Sequence, residues 1–197
     1  MGQDCDALAE IKASYVRSLY RGVVPAETLK GIDATPYRQM FAATLEAAGR
    51  QIVALENGDA LDGFVIMGAD PETAGYGMIF DAAIRPGCDP NGRDMLLEYA
   101  IRHLNNQGME NIHTWILREN FRVRFLYERF GFKAEGVTRT VENDGHEMRL
   151  TAVLFRMVAV FAQLVGRQAA QRFACERSAE YIARDQIAHK REHLPEL

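Results

Sequence analysis

The spacing of apolar residues changes period several times along this chain, and the order of the changes leaves few architectures open. Leu8, Ile11, Tyr15 and Leu19 recur at steps of three and four, one face of an amphipathic helix. Gly22 ends that helix, Pro25 opens a short second one through Leu29 to Ile32, and Thr35-Pro36 has cap-plus-first-turn chemistry for a third reaching about Gly49. Beyond Gly49 the period shortens. Gln51–Glu56 and Leu61–Gly68 are β-rich runs around Asn57-Gly58-Asp59, a hairpin signal, and Gly75–Ile84 is a third strand stopped by Pro86.

Helical spacing returns at Met95 with Leu96, Tyr99, Ala100 and Leu104, and Gly108 fits a C-cap. Ile112–Leu117 reads as a strand, and Phe121–Phe130 as a helix ended by Gly131. Two strands, about Phe132–Val141 and Glu147–Phe155, flank the turn Asn143-Asp144-Gly145. Three helices, three strands, then helix, strand, helix and two strands predict one α/β domain with a mixed sheet over residues 1–156. Residues 157–197 stand apart. Phe161, Leu164, Val165, Ala169 and Phe173 make a partial apolar stripe ahead of dense charge, so a C-terminal helical extension is expected. It either packs on its own sheet, serves as a dimerisation or partner-binding arm, the former giving a homodimer, or is disordered beyond Ile187.

Composition narrows the partners. Of 197 residues, 48% are hydrophobic and 25% charged, an ordinary globular balance. With 23 Lys+Arg against 27 Asp+Glu, the net charge of -4 gives no general attraction to nucleic acid or an anionic membrane. Cys5, Cys88 and Cys175 are an odd number without metal-like spacing, as free thiols in a reducing compartment would be. The start MGQDCDALAE lacks the apolar core of a secretory signal, and the longest apolar stretch, Leu150 to Gly166, is interrupted by Arg156 and too short to span a bilayer. A cytoplasmic protein is the expectation. His103, His146, His189 and His193 fit no metal pattern, so no metal is expected.

The run Asn120-Phe-Arg-Val-Arg-Phe-Leu-Tyr127-Glu128-Arg129-Phe-Gly131-Phe132 matches N-x-x-A-x-x-F-Y-E-K-x-G-F at several spaced positions. With the strand His113-Thr-Trp-Ile-Leu117 before it and Tyr20-Arg-Gly-Val-Val-Pro25 upstream, the chain resembles the GCN5-related N-acetyltransferases (GNAT) over roughly residues 4–155. The resemblance implies a mostly antiparallel sheet of about six strands flanked by helices. It implies an acetyl-CoA or other acyl-CoA co-substrate and an amine acceptor, on a small molecule or a protein. Tyr127 would be the general acid toward the leaving thiolate, a proton transfer that a phenol can perform. Asn120 would touch the cofactor arm, although an N-cap role explains it equally well. The backbone at Ala82 and Ile84, in the strand before the proline, would pair with the pantetheine amides.

In that family the pyrophosphate lies in R/Q-x-x-G-x-G/A, held by backbone N–H groups and a helix N-terminus. Here the turn is Asp89-Pro90-Asn91-Gly92-Arg93-Asp94. Gly92 and Arg93 would be the cofactor contacts, and Arg85 is a second nearby cation. Asp89 and Asp94 oppose a polyanion: one like-charge pair at ~4 Å costs roughly 1 kcal/mol in water and ~4 at an effective dielectric near 20. Asp89-Pro90 also reads as an N-cap followed by the first helical residue, which would start the helix early in the phosphate position. That turn motivates a rival reading, a GNAT-like scaffold that has lost acyl-CoA chemistry and serves as a binding or regulatory module or runs another reaction. The family's short strand before the first helix is also missing, leaving one sheet edge exposed or covered by the tail.

For the base that takes the amine proton, Asp81 and His113 on the strands are the candidates, with Glu119 just before Asn120 beside them. Asp81 alternates to the face opposite Phe80, Ala82 and Ile84. His113 has the neutral-range chemistry, but a lone strand histidine is more often structural. Trp115 and Phe80 read as core.

Overall fold

The computed structural model describes residues 2–22, 25–143, 146–157 and 183–184. Three helices come first, α1 (Gly2–Leu19), α2 (Ala26–Lys30) and α3 (Thr35–Glu46). The strands β1 (Arg50–Asn57), β2 (Ala60–Ala69) and β3 (Tyr76–Ile84) follow, then α4 (Asn91–Asn106), β4 (Asn111–Leu117) and α5 (Phe121–Arg129). The paired strands β5 (Lys133–Asn143) and β6 (His146–Met157) come next, and β7 (Ala183–Arg184) is last. The sheet order is β5-β6-β4-β3-β2-β1-β7. β3 and β4 are parallel, while β6 is antiparallel to both β4 and β5. This is the mixed, mostly antiparallel sheet flanked by helices that the resemblance implies.

The described residues form two compact units, and the chain passes between them at Ile66–Met67, Asp81–Ala82 and Leu96–Leu97. In the first unit, α1 buries Leu8, Ala9, Ile11, Ala13 and Val16, while Tyr15 and Leu19 sit half-buried at the margin of that face. Phe41 of α3 and Phe64 of β2 are fully buried and meet edge to face at 4.9 Å. Gly63 beside Phe64 is required by close approach. A Cβ there would lie 2.8 Å from the carbonyl oxygen of Ala83 and 2.9 Å from Ile84 Cγ2. The start of α3 differs from the expected Thr35 cap. The Asp33 carboxylate accepts the Thr35 N–H at 2.8 Å, so Thr35 is already helical and the capping oxygen comes from two residues upstream.

The open sheet edge is covered. Ala183 and Arg184 pair antiparallel with Leu55 and Ala54 of β1, so residues of the tail cover that stretch of the edge. Those two residues are what the structure describes of the expected helical extension. The rest of that segment, and with it the homodimer arm, lies outside the described residues, as does the turn at Asp144-Gly145. No helix among the described residues is long and apolar enough to cross a membrane.

In the second unit, Ile79, Ile101, Leu104, Ile112, Phe132 and Phe155 are fully buried. Gly77 lets β3 pass the Leu104 side chain, whose Cδ1 would lie 3.2 Å from a Cβ at that position. Trp115 is half-buried, with the Arg139 guanidinium 4.3 Å from its ring centre. It therefore lies at the core margin.

Candidate active site

In the second unit, β3 and β4 are paired from Tyr76↔Asn111 through Gly77↔Ile112 and Met78↔His113 to Ile79↔Thr114. The ladder ends there, yet β4 continues to Leu117 with β6 on its other side as far as Ala152. Parallel strands normally stay joined by evenly spaced bonds along their common length, so a ladder that ends early marks a divergence.

The β4-to-α5 junction is built tightly just past that point. Asn120 donates its backbone N–H to Leu117 and accepts the Val123 N–H on its side-chain oxygen at 3.2 Å, the N-cap geometry. Arg124 fastens the first turn: its Nη1 donates to the Arg118 carbonyl, and its guanidinium lies over the rings of Phe121 and Phe155. Tyr127, on the buried face of α5, is 5% exposed and meets Phe132 edge to face at 5.0 Å. Asp81 is half-buried on β3, two residues beyond the last partner of β4.

His113 lies elsewhere. It belongs to the closed part of the ladder, near the start of β4 and away from the Asn120 end. Its surroundings are polar and buried. Nε2 lies 3.2 Å from Asp70 Oδ2, and the two residues are 8% and 9% exposed. The distance is that of an ion pair, but neither atom has an aligned hydrogen bond. Asp70 Oδ1 instead accepts the Glu72 N–H at 3.0 Å. Tyr76 packs on the imidazole at 5.7 Å, its hydroxyl accepts from Arg156, and Arg156 also pairs with Glu135. Sequence reasoning missed this cluster because its members come from five separate segments, with Tyr76 and Arg156 80 positions apart.

Burial holds the His113 pKa below its ordinary 6.5, with Asp70 and Glu72 pulling the other way and Arg156 and Arg139 adding to the depression. The folded imidazole is therefore neutral where the unfolded one takes a proton. Stability should be full above about pH 6.5 and fall as pH drops from there toward the depressed folded value. Urea midpoints at pH 8 and pH 5 measure this, and His113→Gln should flatten the acid slope. An unchanged slope in the variant would locate the acid sensitivity elsewhere.

The expected cofactor turn belongs to the first unit, and its chemistry is largely internal. Asp89 Oδ1 accepts the Asn91 N–H at 2.9 Å, its carbonyl accepts the Gly92 N–H at 3.0 Å, and the Pro90 carbonyl accepts the Arg93 N–H at 3.2 Å. The early helix start that Asp89-Pro90 suggested is thus realised, with α4 beginning at Asn91. Gly92 is buried, and a Cβ on it would lie 2.6 Å from Leu55 Cδ2, the end of a side chain of β1 that would have to turn aside. Arg85 donates to the Leu61 carbonyl at 2.6 Å and lies 3.9 Å from Asp62, whose other oxygen accepts from Asn57. Arg93 Nε is buried without an acceptor. Ala82 is half-buried and Ile84 buried on the last residues of β3. The turn does not fit a diphosphate.

Known proteins give independent testimony. Among solved structures, the fold is similar to the PaiA N-acetyltransferase of Thermoplasma acidophilum in complex with coenzyme A. That match has 13% identity and a TM-score of 0.59 over 80% of this chain and 94% of the other. It is equally similar to a ribosomal-protein-alanine N-acetyltransferase from Brucella melitensis, at 15% identity and TM-score 0.59 over 80% and 96%. A GNAT-family protein from Desulfovibrio desulfuricans gives 20% identity and TM-score 0.59 over 81% and 94%. No curated protein matches the sequence. The model of the acetyltransferase (GNAT) family matches residues 16–132, from within α1 through the Tyr127 motif to Phe132, and with more than half of its length matched the chain belongs to that family.

Proposed function

We propose that this chain is an N-acyltransferase that moves an acyl group, acetyl first of all, from a CoA thioester to an amine in a ternary complex. The amine nitrogen attacks the thioester carbonyl and the C–S bond breaks. The amine proton passes to a base, and the departing thiolate takes a proton from Tyr127. Asp81, past the end of the ladder, is the favoured base. His113, held by Asp70 in the closed ladder, is the weaker candidate. Asn120 contacts the donor arm through groups that its cap leaves over, and the backbone at Ala82 and Ile84 pairs with the arm's amides. The acceptor is a small-molecule amine or a protein amine, as with the ribosomal-protein enzyme that shares the fold. A cytoplasmic setting suits such chemistry, and no metal enters it.

The observation that supports this reading is the β3–β4 ladder ending at Ile79 and Thr114, followed directly by the Asn120-capped helix that carries Tyr127. Calorimetry with acetyl-CoA, together with thiol release in the presence of a panel of small amines and peptides, tests it. Binding and amine-dependent thiol release are expected, and neither appearing would end it. The internal bonding of the Asp89 turn favours the second reading, a scaffold without acyl-CoA chemistry, in that case.

A further inference from the structure

Every backbone donor that the start of α4 could offer to a diphosphate has an answer within the turn itself. Pro90 has no N–H. The N–H groups of Asn91, Gly92 and Arg93 go to Asp89 Oδ1, the Asp89 carbonyl and the Pro90 carbonyl. A helix N-terminus favours a nearby negative charge, and here the Asp89 carboxylate is that charge. A second anion would have to displace it and then sit beside it. The side chains do not offset this. Arg85 is engaged by Leu61 and Asp62, and Asp94 adds another carboxylate in the first helical turn against the charge of Arg93. Gly92, the residue that best matches a phosphate-binding turn, answers to Leu55.

We infer that this chain holds its acyl donor by the pantetheine arm without a grip on the nucleotide diphosphate, so that pantetheine thioesters lacking adenosine serve it as well as CoA thioesters do. This rests on the acyltransferase reading above. It narrows the donor class to the arm that all such thioesters share, whether it arrives free, on CoA or on a carrier protein. The recognition elements that remain are the amides of the arm and the thioester, both uncharged. Pantetheine binding therefore has little dependence on salt, because the uncharged arm brings no phosphate to be attracted or repelled.

The test is calorimetry on the full chain with three probes: desulfo-CoA, pantetheine and adenosine 3′,5′-diphosphate. Desulfo-CoA and pantetheine should bind within about tenfold of each other, a difference below ~1.4 kcal/mol, and the adenosine diphosphate should give no heat. Asp89→Asn keeps a capping oxygen but removes the charge, and should tighten desulfo-CoA by about fivefold or more at low salt while leaving pantetheine unchanged. Desulfo-CoA binding more than about tenfold tighter than pantetheine would overturn the inference and leave the acyltransferase reading standing. Failure of both desulfo-CoA and pantetheine to bind would remove that reading itself. A carrier-borne acetyl thioester, compared with acetyl-pantetheine in thiol release, separates the two sources: higher turnover on the carrier assigns the arm to a carrier protein, and equal turnover to the free thioester.

Discussion

Tyr127→Phe should lower turnover by roughly 10²–10⁴-fold while leaving donor affinity within about twofold, because the variant removes the hydroxyl proton proposed for the leaving sulfur and keeps the ring. The ring stays edge to face with Phe132, and the α5 cap at Asn120 is untouched, so the fold is expected to persist. The diagnostic feature is the split. A loss confined to the catalytic rate, with the donor constant unchanged, identifies a group acting in the transition state. Unchanged turnover would reduce Tyr127 to a packing residue and pass the proton to solvent. Equal losses in binding and rate would instead point to disturbed packing under α5.

The second large effect concerns stability. Phe64→Ala should cost about 3–5 kcal/mol, the usual range for truncating a fully buried phenylalanine. Phe64 is completely buried and gives its edge contact to Phe41, the side chain that docks α3 on β2. Relaxation into the space is restrained by its neighbour. A Cβ at the adjoining Gly63 would already meet the Ala83 carbonyl and Ile84, so β2 is closely packed on both sides of Phe64. Urea denaturation of the full chain measures this, and a loss below about 1 kcal/mol would mean that the first unit repacks freely.

Much of the architecture is legible in the sequence because its signals are local. Asn57-Gly58-Asp59 divides β1 from β2 almost to the residue, and the switch from alternate to helical spacing near Met95 announces α4. The cap of α3 shows where local reading slips. Thr35-Pro36 carries the right residues, but Ala34 takes the cap position and Asp33 accepts the N–H of Thr35 itself. The site divides along the same line. The motif around Tyr127 is legible by spacing, since a helical motif travels intact in the sequence, and it forms α5. The role of His113 is not, because Asp70, Tyr76, Arg156 and Glu135 reach it only through tertiary pairing. Gly92 matches a phosphate-turn pattern, and its close packing on Leu55, distant in sequence, is visible only in the structure. Such contacts have no signature in a single sequence.

Ala54 and Arg184 meet across 130 positions, so the shield on β1 is synthesised well after the strand it covers. While the chain emerges, the outer amides of β1 wait for a partner encoded far downstream, and contacts of such range form slowly. During that interval a neighbouring nascent chain competes for the same row of hydrogen bonds. Production yield should therefore depend on chaperone supply and growth temperature more steeply than the finished protein's stability alone would indicate.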